Sequence, residues 1–403
     1  MELNIDQLRA STPGVTNVLH FNNAGCSLPI KEVIDIITEY IQTEAMMGGY
    51  ETKDYYQSTI DQFYHRAAQL INASPDEIAI VGNATEGINK VLYAFPFQKG
   101  DIILTTEVEY GNNYLNFLNL KKEKGIEIEI IPNDDFGNIL LEKMESMISP
   151  KVKLIAITHI PTNSGLVVPA EKIGAIAQKH HIPYLLDACQ SVGQMPVDVK
   201  KIQCDFLSTT SRKYLRGPRG LGFMYVRKKW LQKLNPPSLD MVTAHWEDSQ
   251  NYHLDRTIKM FEHWEKPYAM VLGFSKALAY INELGIEKTW NRIQYLANLL
   301  RQKLSTIDGI QVLDIGTQKC GLVSFKLKDI PCEELHQFLL KQNINTSVSA
   351  RFCTVIDMDK RGLASVNRAS IHYYNTEEEI NFFIKKIAYI AEQVALAKNK
   401  PIK

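Results

Sequence analysis

Tyr184-Leu185-Leu186-Asp187-Ala188-Cys189-Gln190-Ser191-Val192-Gly193 is followed by a second apolar run, Phe206-Leu207-Ser208-Thr209-Thr210, then by Ser211-Arg212-Lys213 and the glycine-rich Gly217-Pro218-Arg219-Gly220-Leu221-Gly222. Each apolar run is too short for a helix and ends in polar residues. That is the pattern of strands buried on both faces of a parallel sheet. Five more such runs flank this stretch: Glu77-Ile78-Ala79-Ile80-Val81, residues 102–105, 128–131, 154–158 and 221–226. Helical periodicity lies between most of them, as at Ile88, Val91, Leu92 and Phe95. The reading is an α/β fold with a large, mostly parallel seven-stranded sheet.

Beyond a polar, aromatic stretch near 235–267 the pattern changes. Amphipathic helices are expected at 268–284 and 288–306, strands near 310–314 and 321–327, a helix near 333–342, a strand at 369–373 and a last helix from 376. This predicts a large domain over 21–265 and a smaller α+β domain over 266–403, with residues 1–20 packing on the latter. The lysine-rich end, 398–403, is expected to fray.

At 403 residues the chain can bury more than one core. Lys+Arg and Asp+Glu both number 45, so no overall field favours nucleic acid or an anionic membrane. The acidic start lacks a secretory pattern, and no apolar run is long enough to span a bilayer. The cysteines at 26, 189, 204, 320, 332 and 353 lack metal or redox-dithiol spacing, and a reduced cytoplasmic setting is expected. No metal site is expected, since His180-His181 is an adjacent pair and no HExxH occurs. The glycines at 217, 220 and 222 precede a strand instead of joining strand to helix, which argues against a dinucleotide loop.

Open α/β sheets bind ligands beyond the carboxyl ends of their strands. Asp187 stands at one such exit, where a carboxylate can hold a pyridinium nitrogen protonated or simply cap a helix. Lys213 stands past another, with Thr210, Ser211 and Arg212 offering hydroxyl and guanidinium groups suited to a phosphate monoester. Gly82-Asn83-Ala84-Thr85-Glu86-Gly87 joins a strand to a helix whose first amides make an anion site. A lysine, a carboxylate and phosphate donors together suggest pyridoxal 5′-phosphate (PLP).

These segments, with Phe21-Asn22-Asn23-Ala24-Gly25, His159-Ile160-Pro161-Thr162-Asn163-Ser164-Gly165 and Arg368-Ala369-Ser370-Ile371-His372-Tyr373-Tyr374-Asn375-Thr376, resemble the class V aminotransferase family of fold-type I PLP enzymes. The resemblance implies that Lys213 is the Schiff-base lysine and later moves the substrate α-proton, and that Asp187 pairs with the ring nitrogen. It implies that Gln190 and Asn163 bond the ring oxygen, that Tyr110 stacks on the ring, and that Ala84, Thr85, Thr210 and Arg212 hold the phosphate. Arg368 would clamp a substrate α-carboxylate and Asn23 would also contact substrate. Tyr110 follows Glu109 where desulfurases commonly have histidine, and a phenol with a pKa near ~10 is not a neutral-pH acid in the same way.

Details such as Arg212-Lys213-Tyr214-Leu215-Arg216-Gly217 are most similar to the subgroup containing hercynylcysteine sulfoxide lyase and isopenicillin-N-epimerase-like proteins. The resulting expectation is a C–S β-lyase that releases pyruvate and ammonia from a cysteine conjugate or its sulfoxide. The alternatives are a cysteine desulfurase using Cys353, an epimerase and an aminotransferase. Cys353 lacks the Arg-x-Gly-x-x-Cys pattern of one desulfurase group, although Arg351 could lower its thiol pKa. By resemblance the protein acts on a small amino acid as a homodimer, with no nucleic acid or membrane partner. Tyr50, Tyr55, Tyr56 and residues near 243–264 are expected around the substrate side chain.

Overall fold

The computed structural model describes residues 3–398. All seven apolar runs become strands of one sheet: β1 (Ile78–Val81), β2 (Ile102–Thr106), β3 (Glu127–Ile131), β4 (Val152–Thr158), β5 (Tyr184–Asp187), β6 (Phe206–Thr210) and β7 (Gly222–Val226). Their order is β1-β7-β6-β5-β4-β2-β3, and only β7 runs antiparallel to its neighbours in this sheet. The sequence signalled the strands and left the direction of β7 open. The ten or so residues between β6 and β7 are too few for a helical crossover, so β7 returns antiparallel.

Side-chain alternation divides the sheet between two cores. Ile155, Ile157, Tyr184 and Leu186 enter one, with Val33 and Tyr40 of helix α1 (Lys31–Met47) and Phe63 of α2 (Gln57–Ile71). Leu154, Ala156 and Leu185 enter the other, with Val91 of α3 (Ala84–Ala94) and Phe117 of α4 (Gly111–Lys124). Both faces are therefore apolar, which is why these strands read as unbroken hydrophobic runs.

Gly87 brings α3 close to the sheet. A Cβ there would collide with Ser208 Oγ and come within 3.3 Å of Met224 Cβ. Gly87→Ala should destabilise the protein by about 1–3 kcal/mol through overpacking. A chemical-denaturation midpoint equal to that of the unsubstituted protein would show instead that the helix can shift.

In the C-terminal part, β8 (Ile310–Val312), β9 (Leu322–Leu327), β10 (Ser347–Ala350) and β11 (Ser365–Ser370) form an antiparallel sheet ordered β8-β9-β11-β10. Phe21, Leu296, Leu300, Val323, Phe325 and Phe383 share its core. The N-terminal segment joins in, because Leu19–His20 pairs in parallel with Ile344–Asn345. The expected strand at 369–373 lies earlier, at Ser365–Ser370. Ile371, Tyr373 and Tyr374 are apolar because they are buried, not because they pair in a sheet. Helices α1 and α2, β10 and the hairpin of Ala244–Trp246 with Tyr252–Leu254 were not anticipated.

Arg216 fastens these parts together. Its guanidinium donates to Leu28 O at 2.8 Å, Thr12 Oγ1 at 2.6 Å and Tyr373 Oη at 3.1 Å, and lies 4.5 Å from the Tyr374 ring centroid. It sits three residues beyond Lys213, so the loop carrying that lysine is tied to both ends of the chain. Among the described residues no helix is long and apolar enough to cross a membrane, and all six cysteines are free. The expectation for the lysine-rich end lies outside the described residues, apart from Lys398.

Candidate active site

The parallel strands end along one edge of the sheet, and Asp187 closes β5 there. It is buried, with Oδ2 accepting from Asn113 Nδ2 at 2.8 Å and Oδ1 from the Cys189 amide at 2.9 Å. Burial raises its pKa above the ordinary carboxylate value, opposed by those two hydrogen bonds and by the charge of Lys213. Lys213, half-buried past β6, therefore faces Asp187. It also faces Cys189, whose thiol is pushed up by burial and pulled back by the same ammonium.

Glu109 is a second buried carboxylate at this edge. It accepts from Thr105 Oγ1 (3.0 Å), Thr158 N (3.0 Å), Tyr110 N (3.1 Å), Asn113 Nδ2 (2.8 Å) and the Thr158 hydroxyl. Burial pushes its carboxyl up to about 7, Asp187 adds to that, and the Thr158, Asn113 and Thr105 donors oppose it. Asn113 thus bridges two carboxylates. Sequence reading assigned no role to Glu109 or Asn113, although two polar residues one helical turn apart just after a strand were a usable signal.

Tyr110 caps the start of α4, half-buried, and its phenol is pushed up first by burial and then by the nearby Cys189, Cys353 and Asp187. Cys353 comes near it because the turn Arg351–Cys353, between β10 and helix α5 (Val355–Lys360), rests on the α4 N-terminus. Gly111 allows this approach, since a Cβ there would stand 2.6 Å from Phe352 O.

Arg368, on β11, is also buried. Nη1 donates to Thr162 O at 2.7 Å and Thr162 Oγ1 at 2.6 Å, and Nε to Ser347 Oγ at 3.1 Å. Among the described residues no carboxylate pairs with it. Burial lowers its pKa, and the nearby Cys353, Tyr214 and Tyr110 oppose that. A buried guanidinium with free hydrogens on Nη2 and no counter-ion is suited to an incoming anion.

Asn163 and Gln190 each have a buried carboxamide oxygen without a partner in the protein. Their amide nitrogens are bonded, Asn163 Nδ2 to Asp357 Oδ2 at 2.5 Å and Gln190 Nε2 to Ala24 O at 3.3 Å. Buried unpaired polar atoms call for a ligand or water. At α3, Asn83 caps the Glu86 amide at 2.9 Å, leaving the amides of Ala84 and Thr85 as first-turn donors. A buried carboxylate facing a lysine, unpaired polar atoms beside it and a helix N-terminus at the same edge together fit PLP.

Other expected residues are placed differently. Asn23 is fully buried and saturated: Nδ2 donates to Ser370 O at 2.8 Å and His20 O at 3.2 Å, and Oδ1 accepts from Tyr374 Oη at 2.5 Å. It joins the N-terminal segment to β11, and both of its Nδ2 hydrogens are taken up by backbone carbonyls. The single hydroxyl hydrogen of Thr210 goes to Leu221 O at 3.1 Å, and Arg212 donates to Gly25 O. Donation to a phosphate by Thr210 requires its bond to be exchanged, whereas Arg212 keeps guanidinium hydrogens beyond the one given to Gly25 O. Tyr50 and Tyr55 are exposed at the surface, whereas Tyr56 is buried and donates to Glu39 at 2.7 Å.

Comparison with known proteins agrees with this architecture. A probable cysteine desulfurase of Pyrococcus abyssi is 29% identical over 388 residues, 94% of this chain and 96% of the relative. The apo structure of cysteine desulfurase from Thermococcus onnurineus NA1 superposes with a TM-score of 0.92 at 26% identity, covering 98% of this chain and 100% of that one. The cystine C–S lyase C-DES, in complex with its reaction product cysteine persulfide, matches with a TM-score of 0.84 at 25% identity over 94% of this chain and 99% of that one. Since residues 19–383 match the aminotransferase class-V family, the chain belongs to that family, its fold is fold-type I and its cofactor is PLP.

Proposed function

We propose that the protein cleaves the C–S bond of cysteine and transfers the sulfur to Cys353, as a cysteine desulfurase does. The observation that carries this reading is the position of Cys353, half-buried on a turn that closely approaches Gly111 and within electrostatic reach of Tyr110 and Arg368. The chemistry named for the Pyrococcus and C-DES relatives supports action on a C–S bond. The sequence favoured a β-lyase in which no cysteine takes part. A thiol within electrostatic reach of Arg368 shifts the balance toward the desulfurase alternative.

Bound PLP supplies an electron sink for the substrate α-carbon. In this reading Asp187 holds the ring nitrogen protonated, with Asn113 and the Cys189 amide fixing the carboxylate. Tyr110 would flank the ring, Asn163 and Gln190 would meet its oxygen, and the Ala84 and Thr85 amides would receive the phosphate. Arg368 binds the substrate carboxylate through Nη2, sharing Nε with Ser347. Lys213 takes the α-proton and returns a proton to carbon. The Cys353 thiolate attacks the substrate sulfur: the S–S bond forms as the Cβ–S bond breaks, and the carbon keeps the electron pair and is protonated. Alanine and a Cys353 persulfide result, and an external thiol reduces the persulfide to release sulfide. A homodimer belongs to this reading, supported by exposed apolar side chains at Met46 (86%), Tyr50 (74%) and Trp246 (83%).

The second reading, a β-lyase, is favoured by tyrosine in place of the usual histidine and by the lyase relative. Incubation with L-cysteine and excess dithiothreitol separates the two. Alanine and sulfide in equal amounts are expected, and Cys353→Ser should reduce both by about 100-fold or more. Pyruvate and ammonia formed equally well by Cys353→Ser would sink the desulfurase reading in favour of the lyase.

A further inference from the structure

Asp357 lies on α5, one helical turn beyond Cys353, and is buried. Its Oδ2 accepts from Asn163 Nδ2 at 2.5 Å and from Arg361 Nη1 at 3.2 Å, while Arg361 Nη2 donates to Leu313 O. Asn163 is itself fully buried, on the loop leaving β4, and its Oδ1 has no protein partner. One carboxylate therefore connects a cofactor-site carboxamide to the segment that carries the reactive thiol. Two further contacts hold the same segment to the large sheet: Lys360 Nζ with Glu107 at 2.9 Å, and Phe352 O against Gly111.

We propose that Asp357 is a positioning residue that, through Asn163, links occupation of the cofactor pocket to the placement of Cys353. The proposal rests on the roles assigned above to Asn163 and Cys353. When Asp357 fixes Asn163 Nδ2, the carboxamide can turn only its oxygen and second hydrogen elsewhere, so its orientation is set before a ligand arrives. A ligand that engages that amide holds it in place, which strengthens its bond to Asp357 and keeps the Cys353 turn seated on α4. Linkage makes the effect reciprocal: loosening the turn must weaken the cofactor by the same factor. The Lys360–Glu107 pair is solvent-exposed on the lysine side and contributes little by comparison.

The experiment measures the rate at which iodoacetamide alkylates Cys353, read by mass spectrometry of its peptide, with and without PLP. It is run on the full-length protein alongside a spectroscopic PLP titration. In the unsubstituted protein PLP is expected to slow alkylation by about fivefold or more. Asp357→Ala, and Asp357→Leu, which fills the same volume, should abolish that difference and weaken PLP by a similar factor. Asp357→Asn, which keeps an acceptor for Asn163, should retain both effects. A folded Ala or Leu variant whose alkylation still responds to PLP as in the unsubstituted protein would overturn the proposal, as would an unsubstituted protein that binds PLP with no change at Cys353. Alkylation reports placement and not sulfur transfer, so failure of the desulfurase reading, with pyruvate and ammonia formed equally well by Cys353→Ser, leaves this result separately readable.

Discussion

Lys213→Ala is expected to leave a folded protein that no longer holds PLP covalently and has lost about a thousandfold or more of its turnover. Borohydride reduction of the unsubstituted holoenzyme should fix the cofactor to the peptide containing Lys213, and the Ala variant should show no such product. Lys213 faces Asp187 and Cys189, so its removal also withdraws the positive charge that opposes the upward shift of both groups. Lys213→Arg separates the two contributions, because it restores the charge without a condensing amine. It should bind PLP more tightly than the Ala variant and remain as inactive. Cofactor fixed to another lysine in Lys213→Ala would show that the anchor had been misassigned.

The legible parts of this molecule were those where one physical signal dominated. Seven strands announced themselves, six of them because they are buried, and Lys213 and Asp187 became candidates from where those strands end. Arg368 was legible only through its motif, and nothing in its spacing revealed that it is buried without a carboxylate. The partners of Asn23 were hidden for the opposite reason: it bonds Ser370, His20 and Tyr374, two of them more than 340 residues away in sequence. Cys353 was legible only as an alternative, because its placement depends on a backbone approach at Gly111, and Asp357 was missed because the hydrogen bond it accepts from Asn163 leaves no local pattern. Long-range saturation decided which polar residues remain free for chemistry.

Arg368→Met should raise the KM for the amino acid by about 100-fold or more while leaving PLP affinity and thermal stability close to those of the unsubstituted protein. The size follows from truncating one partner of a buried, hydrogen-bonded charge pair, which costs about 2–5 kcal/mol, with each 1.4 kcal/mol worth a factor of about ten. Stability responds differently because two terms oppose each other. Removing the guanidinium leaves Thr162 O and Thr162 Oγ1 without their donor, at a cost of about 1–3 kcal/mol. It also removes a buried charge that has no carboxylate partner among the described residues, and replacing such groups by apolar side chains is often neutral or stabilising by about 1–4 kcal/mol. Arg368→Lys should lie between the two proteins in KM, since it keeps a charge and loses the planar fork. Steady-state kinetics with L-cysteine and a thermal melt of each variant test this together. A large drop in melting temperature with an unchanged KM would make Arg368 a brace for Thr162 and Ser347, and the substrate carboxylate would then need another partner.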